Sequence, residues 1–272
     1  MKKLFAGPIA IVAWAVSAHS APAAEAGHAC LIEPYQKIEL RSPVEALIAA
    51  IHVHRGSTVQ KGQVLVELES ATERATLEVA RYRAVMEGQV QTAESRLQAG
   101  KEKLRRREEL LQEHFIAAQD RDDAKTEVQV AEASLLEARD NRRLAALEQR
   151  RLSELLEQRR LRSPFSGVVT DRMQQVGEIA QTGESARPIL KLAQTNPLRV
   201  EAVLPLSMYG RLKLGAKADV AVEAPLTGRY TATVSIVDSV VDSASGTFGV
   251  RLDLPNPRGE VPAGVKCRVT FQ

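Results

Sequence analysis

Long hydrophobic runs are missing from this chain beyond its first residues. The apolar run Leu4 to Val16 has 13 residues, short of the roughly 20 needed to cross a bilayer. Lys2 and Lys3 precede it, and Ala21-Pro22-Ala23 and Ala24-Glu25-Ala26 follow with the small-x-small pattern of a cleavage site. Residues 1–26 are therefore predicted to be a signal peptide, with an exported, soluble product. Aromatic residues are only 4% of the chain, which excludes platforms for stacked bases. Neither sign of charge prevails, the net being +3 over 272 residues, so no strong field points to nucleic acid. Cysteine is limited to Cys30 and Cys267. In an oxidising compartment such a pair favours one disulfide, with two separate buried thiols as the alternative. A lipid anchor on Cys30 is not expected, because Gly27-His28-Ala29 lacks the leucine such signals carry three positions ahead.

Catalytic signatures are absent too. The chain has no G-x-S-x-G, no phosphate loop and no C-x-x-C. His52 and His54 share one face of an alternating strand, but carboxylates and thiolates are not clustered nearby, so a solvent-facing pair is expected rather than a metal site. Arg105-Arg106-Arg107 is framed by Glu102, Glu108 and Glu109, which reads as a solvated helix face. The expectation is a protein without catalytic activity and without a cofactor.

Proline is absent from residues 71–160, and glycine is reduced there to Gly88 and Gly100. Strong helix formers fill the stretch. Val90, Leu97, Leu104 and Leu111 recur at heptad spacing on the way out, with Val79, Met86 and Ala93 at the other seam positions. Ala124, Ala131, Ala138, Ala145 and Leu152 recur on the way back, with Val128, Leu135 and Leu156 four beyond members of that series. This predicts a coiled-coil hairpin with arms of about 45 residues, each about 65–70 Å long. The turn is placed at His114 to Asp120, with the second helix starting at Gln119 or Asp120.

Short repeats flank this stretch. Leu40-Arg41-Ser42-Pro43 and Leu161-Arg162-Ser163-Pro164 each continue as R-S-P-x12-G-x5-G, through Gly56 and Gly62 in one copy and Gly177 and Gly183 in the other. Apolar residues between the turn signals suit strands, and each copy is too small to bury a core alone. Two copies facing each other across a pseudo-twofold axis predict one flattened β-sandwich. From Thr195 onward, short alternating segments separated by Gly and Pro predict a small β-barrel, with one short helix over Pro205–Leu214. Cys30-Leu31-Ile32 is placed to return to this barrel as a further strand, bringing Cys30 beside Cys267.

This order of parts resembles the periplasmic adaptor (membrane fusion) proteins of the HlyD type. The pieces "SPV…GSTVQKGQVLVELES" and "LRSPFSGVV…GEIAQTG" carry the resemblance, which extends over residues 30–272. It implies an α+β fold, mostly β, with a long coiled-coil helical hairpin, a split lipoyl-like sandwich and a C-terminal β-barrel. The implied divisions are a signal peptide at 1–26, an N-terminal strand at 27–37 joining the barrel, lipoyl-like halves at 38–70 and 161–193, the hairpin at 71–160 and the barrel at 194–272. It also implies a role in efflux or secretion, as a homo-oligomer bridging an inner-membrane transporter to a TolC-type outer-membrane channel. The location implied is the periplasm, associated with the inner membrane through the transporter partner. The family's R-x3-L-x6-S tip falls on Arg106, Leu110 and Ala117, with alanine in place of the serine, and Phe115 and Ile116 lie beside it. A further membrane-proximal domain, common in the family, is expected to be absent or reduced to the N-terminal strand. The competing readings are a lipoylated carrier, an exported ligand- or metal-binding protein, and a free-standing coiled-coil scaffold.

Overall fold

The computed structural model describes residues 27–183 and 186–272; the proposed signal peptide lies outside the described residues. The chain divides into two units. One holds residues 34–198 and 256–261, the other residues 27–33, 199–255 and 262–272. Strands β1 (His28–Leu40) and β8 (Leu190–Pro205) contribute residues to both.

In the first unit the repeat explains the sandwich. One copy supplies β2 (Ala46–Ile51), β3 (Thr58–Val59) and β4 (Val64–Leu68), and the other supplies β5 (Arg160–Arg162), β6 (Gly167–Arg172) and β7 (Ile179–Ala180). One sheet runs β5-β4-β2-β7, and β8-β6-β3 are neighbours in the other. Each sheet therefore mixes strands of both copies: Ala46 and Leu47 pair with Ala180 and Ile179, while Thr58 and Val59 pair with Val168 and Gly167. The hydrogen bonds are reciprocal. Gly56 N–H donates to Val169 O at 2.8 Å and Gly177 N–H to Ile48 O at 2.9 Å. Likewise Val169 donates to Ser57 and Ile48 to Glu178, both at 2.9 Å. Gly56 and Gly177 have φ of 86° and 90°, a conformation that disfavours any side chain bearing a Cβ. Ile48, Leu65, Val66, Val169, Ile189, Leu190 and Leu192 bury themselves in one shared core, each such aliphatic side chain contributing about 1.5–3 kcal/mol.

Between the two copies run α1 (Ala71–Val85), α2 (Gly88–Gln112) and α3 (Ala118–Glu157). The returning arm α3 is one helix of 40 residues, about 60 Å long. The outgoing arm is broken, contrary to the expectation of one continuous helix. Met86 takes an extended ψ of 123°, and α2 restarts at Gly88. Leu77 and Ala80 are the buried residues of α1, whereas Val79 and Met86 are 54% and 49% exposed. The seam of α2 then begins at Val90 and Ala93, which pack with Leu97 against Leu135 and Ala138 of α3. Leu77 to Val90 is one residue short of two heptads, so the break resets the register and no single periodic series describes both segments. The helices pack principally on one another, α1 and α2 each against α3. Among the described residues, no helix is long and apolar enough to cross a membrane.

The second unit contains β9 (Lys217–Val222), β10 (Arg229–Val237), β11 (Thr247–Leu254) and β12 (Val265–Phe271). The strand order is β1-β12-β9-β10-β11-β8, and an additional β1–β8 pairing closes it. Alternation decides which side chains fill it: Ala218 and Val220, Ala232 and Val234, Phe248, Val250 and Leu252, then Cys267 and Val269 are buried. The short helix expected over Pro205–Leu214 shrinks to a single 3-10 turn at Leu206–Met208. Strand β8 runs on to Pro205, and Gly210, at φ 80°, turns the chain away before a second helical turn forms.

Candidate partner interface

The hairpin tip is built by two helix ends. Arg106 and Leu110 are one turn apart on α2, so they share a face. The helix closes when His114 N–H bonds to Leu111 O at 3.0 Å and Phe115 N–H bonds to Leu110 O at 2.9 Å. His114 sits in the left-handed region at φ 59°, the usual conformation of a residue ending a helix. Phe115 is thereby thrown outward and is 73% exposed, while Leu110 is 38% exposed and Ile116 half-buried.

Helix α3 begins at Ala118, one residue before the expected Gln119, and Ala117 is its N-cap. As an N-cap it has no hydroxyl or carboxylate to offer the free amides of the first turn. One half of a capping box survives, Ala117 N–H donating to Asp120 Oδ2 at 3.3 Å. The structure thus links Leu110 to Phe115 and Ala117 to Asp120, with Arg106 exposed one turn behind Leu110.

Along the shaft, cross-helix ion pairs join the arms: Lys103–Glu127 at 2.8 Å, Lys101–Glu132 at 3.5 Å, Arg139–Glu94 at 2.9 Å and Arg142–Glu87 at 3.3 Å. All join α3 to α2 or its N-cap. Nearer the sandwich, α1 and α3 instead border an open groove of about 950 Å³ lined by Val79, Leu144, Leu147 and Leu152 among others. The groove does not follow from the heptads, because the break at Met86 decides which face of α1 is buried.

The root of the hairpin is clamped. Arg159 pairs with Glu73 and donates to Glu69 O at 3.3 Å, while Leu68 N–H donates to Arg159 O at 2.8 Å. The Glu69 carboxylate accepts the amides of Ser70 and Ala71, both at 2.9 Å. Those amides, helped by Arg74, hold its pKa below the ordinary carboxylate value. Ser70 is the N-cap of α1 but makes no side-chain capping bond; the carboxylate of the residue before it takes that place, which the usual N-cap pattern does not signal.

Elsewhere, Cys30 and Cys267 lie directly opposite on β1 and β12 and form a disulfide, with Cα atoms 4.9 Å apart. His52 Nε2 lies 3.5 Å from Glu67 Oε1 at the surface. Among the described residues no group of three or more His, Cys, Asp or Glu could hold a metal ion.

A two-copy sandwich interrupted by a helical hairpin and joined to a closed β-barrel defines an adaptor of the membrane fusion type. Residues 36–189 match the CzcB-like barrel-sandwich hybrid domain and residues 198–272 the CusB-like β-barrel domain. The chain belongs to this family of periplasmic adaptors, whose members are structural linkers and not enzymes.

Multidrug resistance protein MdtE of Escherichia coli is 26% identical over 244 residues, covering 85% of this chain and 60% of that protein. Multidrug efflux pump subunit AcrA of Escherichia coli is 24% identical over 250 residues, covering 88% and 59%. The chain thus spans about three-fifths of the length of these relatives. Among solved structures, MacA from Actinobacillus actinomycetemcomitans superposes with a TM-score of 0.73 at 18% identity, over 90% of this chain and 77% of that one. A membrane fusion protein of Streptococcus pneumoniae gives 0.61 at 16% identity, over 90% and 97%. At such identities the likeness is one of fold.

Proposed function

We propose that the protein is the periplasmic adaptor of a tripartite efflux or secretion system, bridging an inner-membrane transporter to a TolC-type outer-membrane channel. In this reading the repeat forms a split lipoyl-like domain over 38–70 and 161–193, and residues 71–160 form a coiled-coil hairpin. Residues 27–37 join the barrel, which takes 194–272. The protein works as a homo-oligomer held at the inner membrane by its transporter. Arg106, Leu110, Phe115, Ile116 and Ala117 meet the channel.

One observation carries this reading. The long helices pack on each other, and at their end Leu110 and Phe115 are exposed where a partner would reach them. Exposed apolar side chains at such a tip are suited to docking. The efflux relatives support the same assignment.

Replacing Leu110 with glutamate tests it. Export and cross-linking between tip and channel are expected to fall together, while the far-ultraviolet circular dichroism and melting curve stay unchanged. Full transport and cross-linking by the Leu110→Glu variant would overturn the tip assignment.

A further inference from the structure

One end of the barrel unit collects an unusual set of exposed side chains. Strand pairing places that end: His28 pairs with Val269 near the end of β12, and Phe271 pairs with Ala218 near the start of β9. Lys217, where β9 begins, is opposite Thr233, from which β10 continues to its turn. The segment 206–216 is fastened along this end, with Leu206 N–H bonded to Gly246 O at 2.9 Å and Gly215 N–H to Val234 O at 2.8 Å.

Within this segment Leu206, Tyr209 and Leu214 are 50%, 45% and 69% exposed. Arg211 and Lys213 are exposed among them. From Ala202 to Ala218 there is no acidic residue. Tyr209 is braced edge-on against Phe248 at 5.2 Å, so its position is held by the barrel. The neighbouring β10–β11 turn carries Asp238 and Asp242, and Asp242 Oδ1 already accepts the Ala244 amide at 2.9 Å.

We propose that the segment Leu206–Leu214 is a peripheral contact for an anionic phospholipid surface. Protruding aliphatic side chains on a loop enter the headgroup region, a tyrosine suits the interface, and Arg and Lys draw the loop to negative lipid. The absence of acidic residues through the segment supplies the charge complementarity.

Vesicle flotation tests the contact with no channel or transporter present, so its failure is separate from any failure of the adaptor assignment. The purified protein is mixed with vesicles of phosphatidylethanolamine containing a minority of phosphatidylglycerol, and with neutral phosphatidylcholine vesicles. Binding is expected to the anionic vesicles only, and to vanish when salt shortens the Debye length from about 10 to about 3 Å. Lys213→Glu with Leu214→Glu is expected to lower the apparent affinity by about tenfold or more, with an unchanged melting curve. Lys125→Glu with Leu136→Glu, the same charge change at two exposed sites on the hairpin, is expected to leave binding intact. Failure of the wild-type protein to float, or equal flotation of the double variant, would overturn the proposal. So would binding that requires a membrane protein in the vesicles, because the surface would then be a protein-docking site.

Discussion

Ser42 and Ser163 stand at matching places in the two copies and make the same bond. Each hydroxyl donates to the carbonyl two residues on, Ser42 to Val44 and Ser163 to Phe165, the latter at 2.6 Å. Both serines are buried; the Ser163 bond lies wholly out of reach of water and the Ser42 bond partly so, and each satisfies a hydroxyl that would otherwise go unpaired. This accounts for the serine of the repeat: it ties down the bend where each copy enters the sandwich, while the glycines supply the turns beyond.

Ser163→Ala is expected to destabilise the sandwich by about 1–3 kcal/mol, since a buried carbonyl loses its donor. Ser42→Ala should act in the same direction, and Ser207→Ala, at an exposed site, should cost nothing measurable. Urea denaturation midpoints at constant slope provide the comparison.

Gly167→Ala should be worse tolerated than its small change in volume suggests. A Cβ there would stand 2.3 Å from Ala193 O, a backbone atom in the paired strand. The cost expected is at least about 1–3 kcal/mol, read as a lower melting temperature. Gly88→Ala, at a site with nothing within 4 Å, is the control and should be neutral or stabilising.

Ala117→Ser restores an N-cap hydroxyl at the start of α3. The change is expected to stabilise the tip by about 0.5–2 kcal/mol. Slower hydrogen exchange of the Gln119 and Asp120 amides would register it. An unaltered exchange rate would mean that the serine does not take up the capping geometry.

The Cys30–Cys267 bond closes a loop across a sequence separation of 237. Replacing both cysteines with serine is expected to cost about 2–5 kcal/mol, with the longer loop favouring the upper part of that range. The loss should appear in the barrel, measured by exchange of β1 and β12 amides, and dithiothreitol should affect the wild-type protein alone.

Glu69 links the hairpin root to pH. Its folded pKa lies below the unfolded value because amides of Ser70 and Ala71 favour the carboxylate. Its contribution is therefore present at neutral pH and fades as pH falls from about 4.3 through the lower folded value. Glu69→Gln is expected to remove that acid-side decline from the stability of α1, with a small amplitude because the group is exposed. Thermal melts between neutral pH and the acid limb check the direction.

The repeat was legible because it rests on backbone demands. Gly56 and Gly177 require positive φ, and Ser42 and Ser163 satisfy local carbonyls, so the same residues recur at fixed spacing in both copies. The barrel strands were legible because alternation maps directly onto burial, as in Ala218 and Val220 or Cys267 and Val269. The outgoing arm was legible as helix but not in its seam. Val79 and Met86 fit a heptad as well as Leu77 and Ala80 do, and only the break at Met86 separates the two phases. Likewise, nothing local to Arg159 announced that it would meet Glu73 and the Glu69 carbonyl across the root.

What the amino-acid order determined on its own is local: helix over the proline-free stretch, strand where apolar residues alternate, turns at the paired glycines, and few groups capable of chemistry. Those follow from dihedral preference and periodicity, which act over a few residues. Tertiary structure decided how the copies share strands, which face of α1 is buried, where the hairpin root is clamped, and that Cys30 meets Cys267. Each of these depends on groups far apart in the chain being brought within a few ångströms, where close packing and the pairing of buried polar groups select one arrangement from several that local preference allows equally.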